Sequence, residues 1–341
     1  MSDAMQKERR AFLVAPDARR MLAQASGFWG LSLLLVVLLA AASAAVGDRF
    51  LSGANLRAMA VQIPEFGLLS LAMMITLLKG GLNLAVVATA NACALVVAAI
   101  LTAYPSGLDG LQLYAVVAMA LAAGLAVALL IGLTIGVLVA YLNISSIIAT
   151  LGMMILLKGL ALGFSRGGVL SGFPEPILFV GQGMIWFLPA SLLVLLAAAA
   201  VLAFALNRTS FGAALYMIGS NEAATRYSGV NTRWVMTRCY MASSVLAFLA
   251  GLVMMGRFNS ANAAYGESYL LLTILAAVLG GVNPFGGAGR VGRMLVALAI
   301  LQVIQSSLNQ LNISPYLTLA IWGTLLILVG AFTARLGRWR R

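Results

Sequence analysis

Among 341 residues there is no histidine, which removes together the commonest general base, metal ligand and haem ligand. The two cysteines, Cys93 and Cys239, lie far apart inside apolar runs, so neither a disulfide framework nor a zinc site is expected and no metal is assigned. The chemistry that remains is hydrogen bonding by amides, hydroxyls and a few charges set into apolar sequence. Gln62, Glu65, Asn83, Thr89, Asn91, Thr150, Asn259 and Asn262 could together line a path for a neutral polyhydroxylated solute. Each alone could equally satisfy a neighbouring helix. Asn83 and Asn91 are expected about two turns apart on one helix. Glu65 and Lys79 are the ionisable residues nearest the second apolar run. A charge at membrane depth points to function, although Lys79 could also snorkel to the surface.

Those groups must be held by membrane helices. Hydrophobic residues make up 62% of the chain, charged residues 9%, and the mean hydropathy is +1.04. A bilayer core of ~30 Å takes roughly 20 apolar residues per helix. About ten such runs are expected, near 27–46, 59–78, 84–103, 113–141, 146–163, 185–206, 234–256, 269–282, 291–310 and 316–334. They are continuous rather than alternating, which argues against a β-barrel. The fold class is an all-α polytopic membrane protein. Residues 1–26 form a cytoplasmic segment in which Phe12 to Gln24 read as a basic amphipathic helix, 27–334 form the transmembrane domain, and 335–341 form a basic cytoplasmic tail. The Ala-rich end of the first run could mimic a cleavage site, but the polar lead is long for a signal peptide.

Both termini are expected in the cytoplasm of an inner-membrane protein. That orientation places 16 of the 21 Lys and Arg residues on the inside, leaving Arg49, Arg57, Lys158, Arg166 and Arg257 outside. The net charge of +12 is then an orientation signal with anionic-lipid contact, not a nucleic-acid footprint. No P-loop is present, because neither Lys79 nor Lys158 follows glycine. The G-x-G-x-x-G spelled by Gly287 to Gly292 follows a membrane run rather than a strand, so it reads as a tight turn anchored by Arg290 and Arg293. The chain is not expected to be an enzyme. Gly132 and Gly136 make a G-x-x-x-G pattern suited to close helix approach, within the bundle or between copies.

One polar, basic segment interrupts the apolar runs, Asn207 to Arg233. Within it Ser220 or Asn221 can cap a short helix, Glu222, Ala223 and Ala224 favour its first turn, and Gly229 can stop it. So short a helix needs a partner to be stable. Here the residues resemble the permease subunits of bacterial sugar-type ABC importers, the ribose-permease group. The resemblance rests on Arg208, Thr209, Phe211, Gly212, Tyr216, Ile218, Gly219, Asn221, Ala224, Gly229, Val230 and Asn231. Also matching are Ile148 to Met153 with Lys158-Gly159-Leu160-Ala161, Ala250-Gly251, Gly266-Glu267 leading to Leu279-Gly280-Gly281, and Ser314-Pro315-Tyr316.

The resemblance covers most of the chain and implies a bundle like that of vitamin B12-type permeases, working as a homodimer or heterodimer. Two cytoplasmic ATPases would carry ATP and Mg, with no cofactor on this chain, and a periplasmic binding protein would deliver a sugar-like solute for alternating access. The implied coupling helix runs from Gly219 to Gly229, with Ser220, Asn221, Glu222, Ala223, Ala224 and Tyr227 at the ATPase contact. Glu175, Glu267, Arg166 and Arg257 would lie in loops suited to the binding protein. The chief departure is Gly80-Gly81-Leu82-Asn83-Leu84-Ala85-Val86, where the group usually has G-G-I-D-L-S-V-G; Asn83 removes a charge yet keeps a donor and an acceptor. The bland reading of Asn83 is a helix N-cap. The rival class is a stand-alone secondary transporter or channel, which would need an ion-coupling pair at the midplane.

Overall fold

A computed structural model describes residues 28–104 and 110–338, with side chains as far as 331. The expected amphipathic helix in 1–26 and residues 339–341 of the expected tail lie outside the described residues. In a bilayer each backbone donor and acceptor needs an internal partner, so every long apolar run becomes a helix. Eight described helices have the length and apolarity to cross a membrane. They are α1 (Phe28–Arg49), α2 (Gly53–Leu78), α3 (Val86–Ala103), α4 (Leu111–Ala140), α5 (Ser146–Ser165), α7 (Ala190–Arg208), α10 (Thr232–Phe258) and α12 (Val291–Gln310). Two more expected runs are also helical: α11 (Tyr269–Leu279) has only 11 residues, and the apolar part of α13 (Pro315–Arg338) ends at Ala331.

The centre of the bundle is α2 against α10. From Pro64 to Leu78 every residue of α2 is buried, which is what an all-round apolar sequence requires. The two helices run antiparallel and are joined by Ser243 Oγ donating to Ala72 O at 2.8 Å and Cys239 Sγ to Ile75 O at 3.3 Å. Each acceptor is a helix carbonyl, so the contacts need close backbones. On its other side α10 meets α4 through the predicted glycine pair. A Cβ on Gly132 would lie 2.6 Å from Met241 Cα, and one on Gly136 2.7 Å from Thr237 Cα. The G-x-x-x-G pattern therefore serves packing inside the bundle.

Gly136→Leu is accordingly expected to destabilise the protein by about 1–3 kcal/mol, the usual cost of overpacking. A thermal melt in detergent should show a lower midpoint, whereas Gly323→Ala, with nothing within 4 Å of the added methyl, should leave it unchanged. Equal midpoints for Gly136→Leu and the parent would contradict this packing.

Two features at the end of the bundle opposite residues 207–233 escaped the sequence reading. The run expected at 185–206 starts as a helix only at Ala190. Its first residues instead form a hairpin, strand β2 (Met184–Ile185) paired with β3 (Leu188–Pro189), with Trp186 and Phe187 at its exposed tip. Exposed aromatics are suited to a membrane interface. Before it, α6 (Glu175–Gln182) packs on α10, with Gly181 against the backbone of Gly256 and Arg257. Two further strands, β1 (Leu170–Ser171) and β4 (Ser260–Ala261), tie the loops at this end together.

Candidate functional site

The polar segment folds as two helices rather than one. Thr209 accepts a hydrogen bond from Gly212 N and starts α8 (Ser210–Ser220). Asn221 is extended, at φ −162°, and both ends α8 and caps α9 (Glu222–Tyr227) through Oδ1 accepting from Ala224 N at 3.0 Å. Glu222 begins α9 and pairs with Arg226 one turn on at 2.9 Å, and Gly229, at φ +81°, follows it as expected of a stop. The single helix expected from Gly219 to Gly229 is thus shorter: Gly219 and Ser220 belong to the last turn of α8. The break arises because the Asn221 side chain occupies the next free donor, which needs a non-helical backbone. Asn221, Ala223, Ala224 and Tyr227 are exposed, and Glu222 is half-buried.

Gly219 has a different task from the residues after it. Leu78 O at the end of α2 accepts from Gly287 N at 2.8 Å, and a Cβ on Gly219 would strike both of those atoms. Gly80 and Gly286, at φ +84° and +97°, complete the contact; a Cβ on Gly286 would meet Gly219 O and Gly80 N. The 283–289 loop is braced by Asn283, whose Nδ2 donates to Gly286 O at 2.8 Å and whose Oδ1 accepts from Phe285 N at 3.1 Å. Tyr216 donates its hydroxyl proton to Gly289 O at 2.8 Å. Burial pushes that phenol above its ordinary pKa, against the opposing pull of Arg290 and Arg293, so it stays a donor. Thus α8, the end of α2 and the turn between α11 and α12 meet backbone to backbone. Phe285, which sequence reasoning missed, belongs to this junction, its carbonyl close to Gly80, and its side chain is 88% exposed.

The path residues fall into separate places. Asn83 is buried in the turn before α3, not on one helix with Asn91. Its Nδ2 donates to Ser243 Oγ at 2.9 Å and its Oδ1 accepts from Ala85 N at 3.1 Å, so both ends of the amide are engaged. Thr150 back-bonds to Ser146 O at 2.7 Å within α5. Thr89 is buried without a hydrogen-bond partner for its hydroxyl. Lys79 turns inward, its Nζ 4.5 Å from the Tyr240 ring centre, rather than outward to the surface.

At the end away from α8 and α9, Asn91 donates to Ala263 O and Tyr265 O at 3.0 and 2.8 Å. It borders a cavity of about 220 Å3 shared with Lys158 and Glu267, which pair at 2.7 Å. Asn259 closes α10 in the left-handed region, at φ +48°, and accepts from Phe173 N. Asn262 accepts from Ala264 N at 2.8 Å. Gln62 and Glu65 stand apart on α2. Glu65 is fully buried and pairs with Arg257 at 2.6 Å, and its other oxygen accepts from the Tyr269 hydroxyl at 2.9 Å. Of the charges expected in loops suited to a binding protein, Arg257 instead lies in the last turn of α10, and it and Glu267 are both paired with residues of other elements.

The sequence has relatives. A family model described as the permease component of branched-chain amino acid transport systems matches residues 55–330. The chain belongs to this permease family. It is 31% identical over 303 residues to the ribose import permease protein RbsC of Bacillus subtilis, covering 88% of this chain and 89% of that one. It is 30% identical over 299 residues to the L-arabinose transport system permease protein AraH of Escherichia coli, covering 88% of each. The autoinducer 2 import system permease protein LsrD of an Enterobacter strain is 28% identical over 270 residues, 77% of this chain and 79% of that one. No solved structure matches. The family label names branched-chain amino acids while these relatives are named for ribose, L-arabinose and autoinducer 2, so membership fixes a multi-pass transport permease and leaves the solute open.

Proposed function

We propose that this chain is the membrane-spanning permease subunit of an ATP-driven importer for a sugar or sugar-like solute. The junction at Gly219 carries the reading. A short exposed helix, α9, hangs from α8, and α8 touches through bare backbone both the most buried helix of the bundle and the α11–α12 turn. Side chains can yield, but a backbone contact transmits displacement as a rigid body. The ribose and arabinose relatives support the solute class, and the amide-rich groups above suit a neutral polyhydroxylated molecule better than a charged one.

In this reading α8, α9 and both termini face the cytoplasm, and separate ATPase subunits hold ATP and Mg against α9. A periplasmic binding protein delivers solute to the opposite end, and a second permease copy, identical or related, completes the assembly. Asn221, Glu222, Ala223, Ala224, Tyr227 and Gly229 form the ATPase contact, with Gly219 and Ser220 transmitting from behind it.

Purification of the chain in mild detergent from its native membrane tests this. Stoichiometric recovery of an ATPase is expected, and Glu222→Lys should remove it, because the reversal opposes Arg226 and inverts the charge at the start of α9. Recovery of the chain alone, still able to move solute after reconstitution without ATP, would replace this reading with a secondary transporter.

A further inference from the structure

At the α9 end of the bundle, positive charge outruns the carboxylates that could neutralise it. Of the acidic side chains among the described residues only Glu222 lies at this end, and Arg226 already holds it. Two other arginines, Arg233 and Arg238 in the first turns of α10, are exposed and make no ion pair or side-chain hydrogen bond among the described residues. Each guanidinium instead lies against an aromatic ring. Arg233 Cζ is 5.7 Å from the ring centre of Tyr141 at the end of α4, and Arg238 Cζ is 4.8 Å from that of Trp234, one turn earlier on its own helix. Such a contact steadies a guanidinium while leaving most of its N–H donors for an anion.

Helix length sets their depth. α10 has 27 residues, about 40 Å at the helical rise, against a hydrocarbon core of ~30 Å, so its ends stand in the headgroup layers. Arg238 and Arg257 are about 19 residues, or ~28 Å, apart, so a core that begins at one ends at the other. Arg233 and Trp234 then lie a turn further out, at the level of lipid phosphates. Trp234 and Tyr141 are 41% and 44% exposed, and amphipathic rings favour this layer. The support is rigid: Asn231 Oδ1 caps α10 by accepting from Trp234 N at 3.1 Å, and the Thr237 hydroxyl donates to Arg233 O at 3.0 Å. Thr237 packs on Gly136 of α4 and lies between Arg233 and Arg238, which are about 140° apart around α10. The two arginines therefore flank the α4–α10 contact rather than share one anion.

We propose that these two arginine–aromatic pairs bind the phosphate headgroups of anionic phospholipids, one on each flank of the α4–α10 contact, in the cytoplasmic leaflet. The leaflet rests on the reading that α9 faces the cytoplasm; the charge complementarity does not. An ATPase surface is the rival occupant, and depth argues against it, because Arg238 stands at the edge of the hydrocarbon, where a lipid phosphate reaches and a soluble subunit does not. Phosphatidylcholine fits less well, since its trimethylammonium brings a second cation to a face with no free carboxylate.

The test is native mass spectrometry of the full chain in mild detergent, titrated with dioleoylphosphatidylglycerol or dioleoylphosphatidylcholine. The parent is expected to prefer phosphatidylglycerol. Arg233→Gln and Arg238→Gln should each weaken phosphatidylglycerol binding roughly fivefold, and the double variant more than about tenfold, with phosphatidylcholine binding unchanged within about twofold. An unchanged thermal midpoint without added lipid shows that the variants fold. Inorganic phosphate at equal ionic strength should displace neither lipid, and displacement would overturn the lipid assignment. Equal phosphatidylglycerol affinity in the parent and the double variant overturns the site. Loss of the ATPase from the double variant with lipid affinity unchanged overturns it in favour of ATPase docking. Lipid selectivity that vanishes in the double variant of a chain that recruits no ATPase supports the site while removing the importer reading.

Discussion

Gly219→Val is expected to cut solute uptake by more than tenfold while the ATPase still co-purifies. A Cβ at Gly219 would strike Leu78 O and Gly287 N, which are hydrogen-bonded to each other, so the substitution must part α2 from the 283–289 turn or push α8 away from both. Breaking a buried backbone hydrogen bond costs about 1–3 kcal/mol and overpacking a similar amount. The neighbouring cap is untouched, because Asn221 Oδ1 still accepts from Ala224 N and α9 keeps its Glu222–Arg226 pair. Contact with the ATPase should survive while transmission fails. Uptake and ATP hydrolysis measured on the same proteoliposomes would separate the two. Gly323→Ala provides the contrast, since nothing lies within 4 Å of the added methyl. Normal uptake by a folded Gly219→Val protein would remove the junction from the mechanism.

Arg257→Met is expected to lower stability by about 3–5 kcal/mol, because it strands the Glu65 carboxylate at zero exposure. Tyr269 would remain as a donor, and one phenol does not replace a guanidinium. The double variant Glu65→Gln with Arg257→Met should recover most of that loss, since a neutral amide tolerates the site and no unpaired charge is left. A double-mutant cycle read by thermal unfolding in detergent measures this coupling. If the two losses simply add, the ion pair has no energetic reality. The pair joins α2 to the far end of α10.

How much of this was legible beforehand differs by element. Apolar runs of bilayer length identified the helices, and the registers were good because a membrane helix is specified by its length and composition rather than by partners. The cap at Asn221 and the stop at Gly229 were legible for the same reason: both act within four residues of themselves. Residues 184–189 went wrong because an apolar hairpin and the first turn of a membrane helix share a composition, and only pairing distinguishes them. Gly219 was assigned to the wrong helix because its reason for being glycine lies in Leu78 and Gly287, far along the chain. Arg257 was read as a loop charge because an arginine at a helix end ordinarily faces water, and its partner Glu65 is 192 positions away.

The sequence by itself determined that this is a helical membrane protein of a permease family, with a capped polar helix set between apolar runs. Those properties follow from transfer free energies and short-range hydrogen bonds, which each residue carries with it. Tertiary structure alone decided which polar groups are spent on the fold and which are left without a partner. Asn83 and Thr150 are engaged within the bundle, while Gln302, absent from every sequence expectation, keeps an unpartnered carbonyl. That division depends on the crossing of α2, α10, α11 and α12, because a hydrogen-bonding group is satisfied or free only according to what other helices bring within about 3 Å of it.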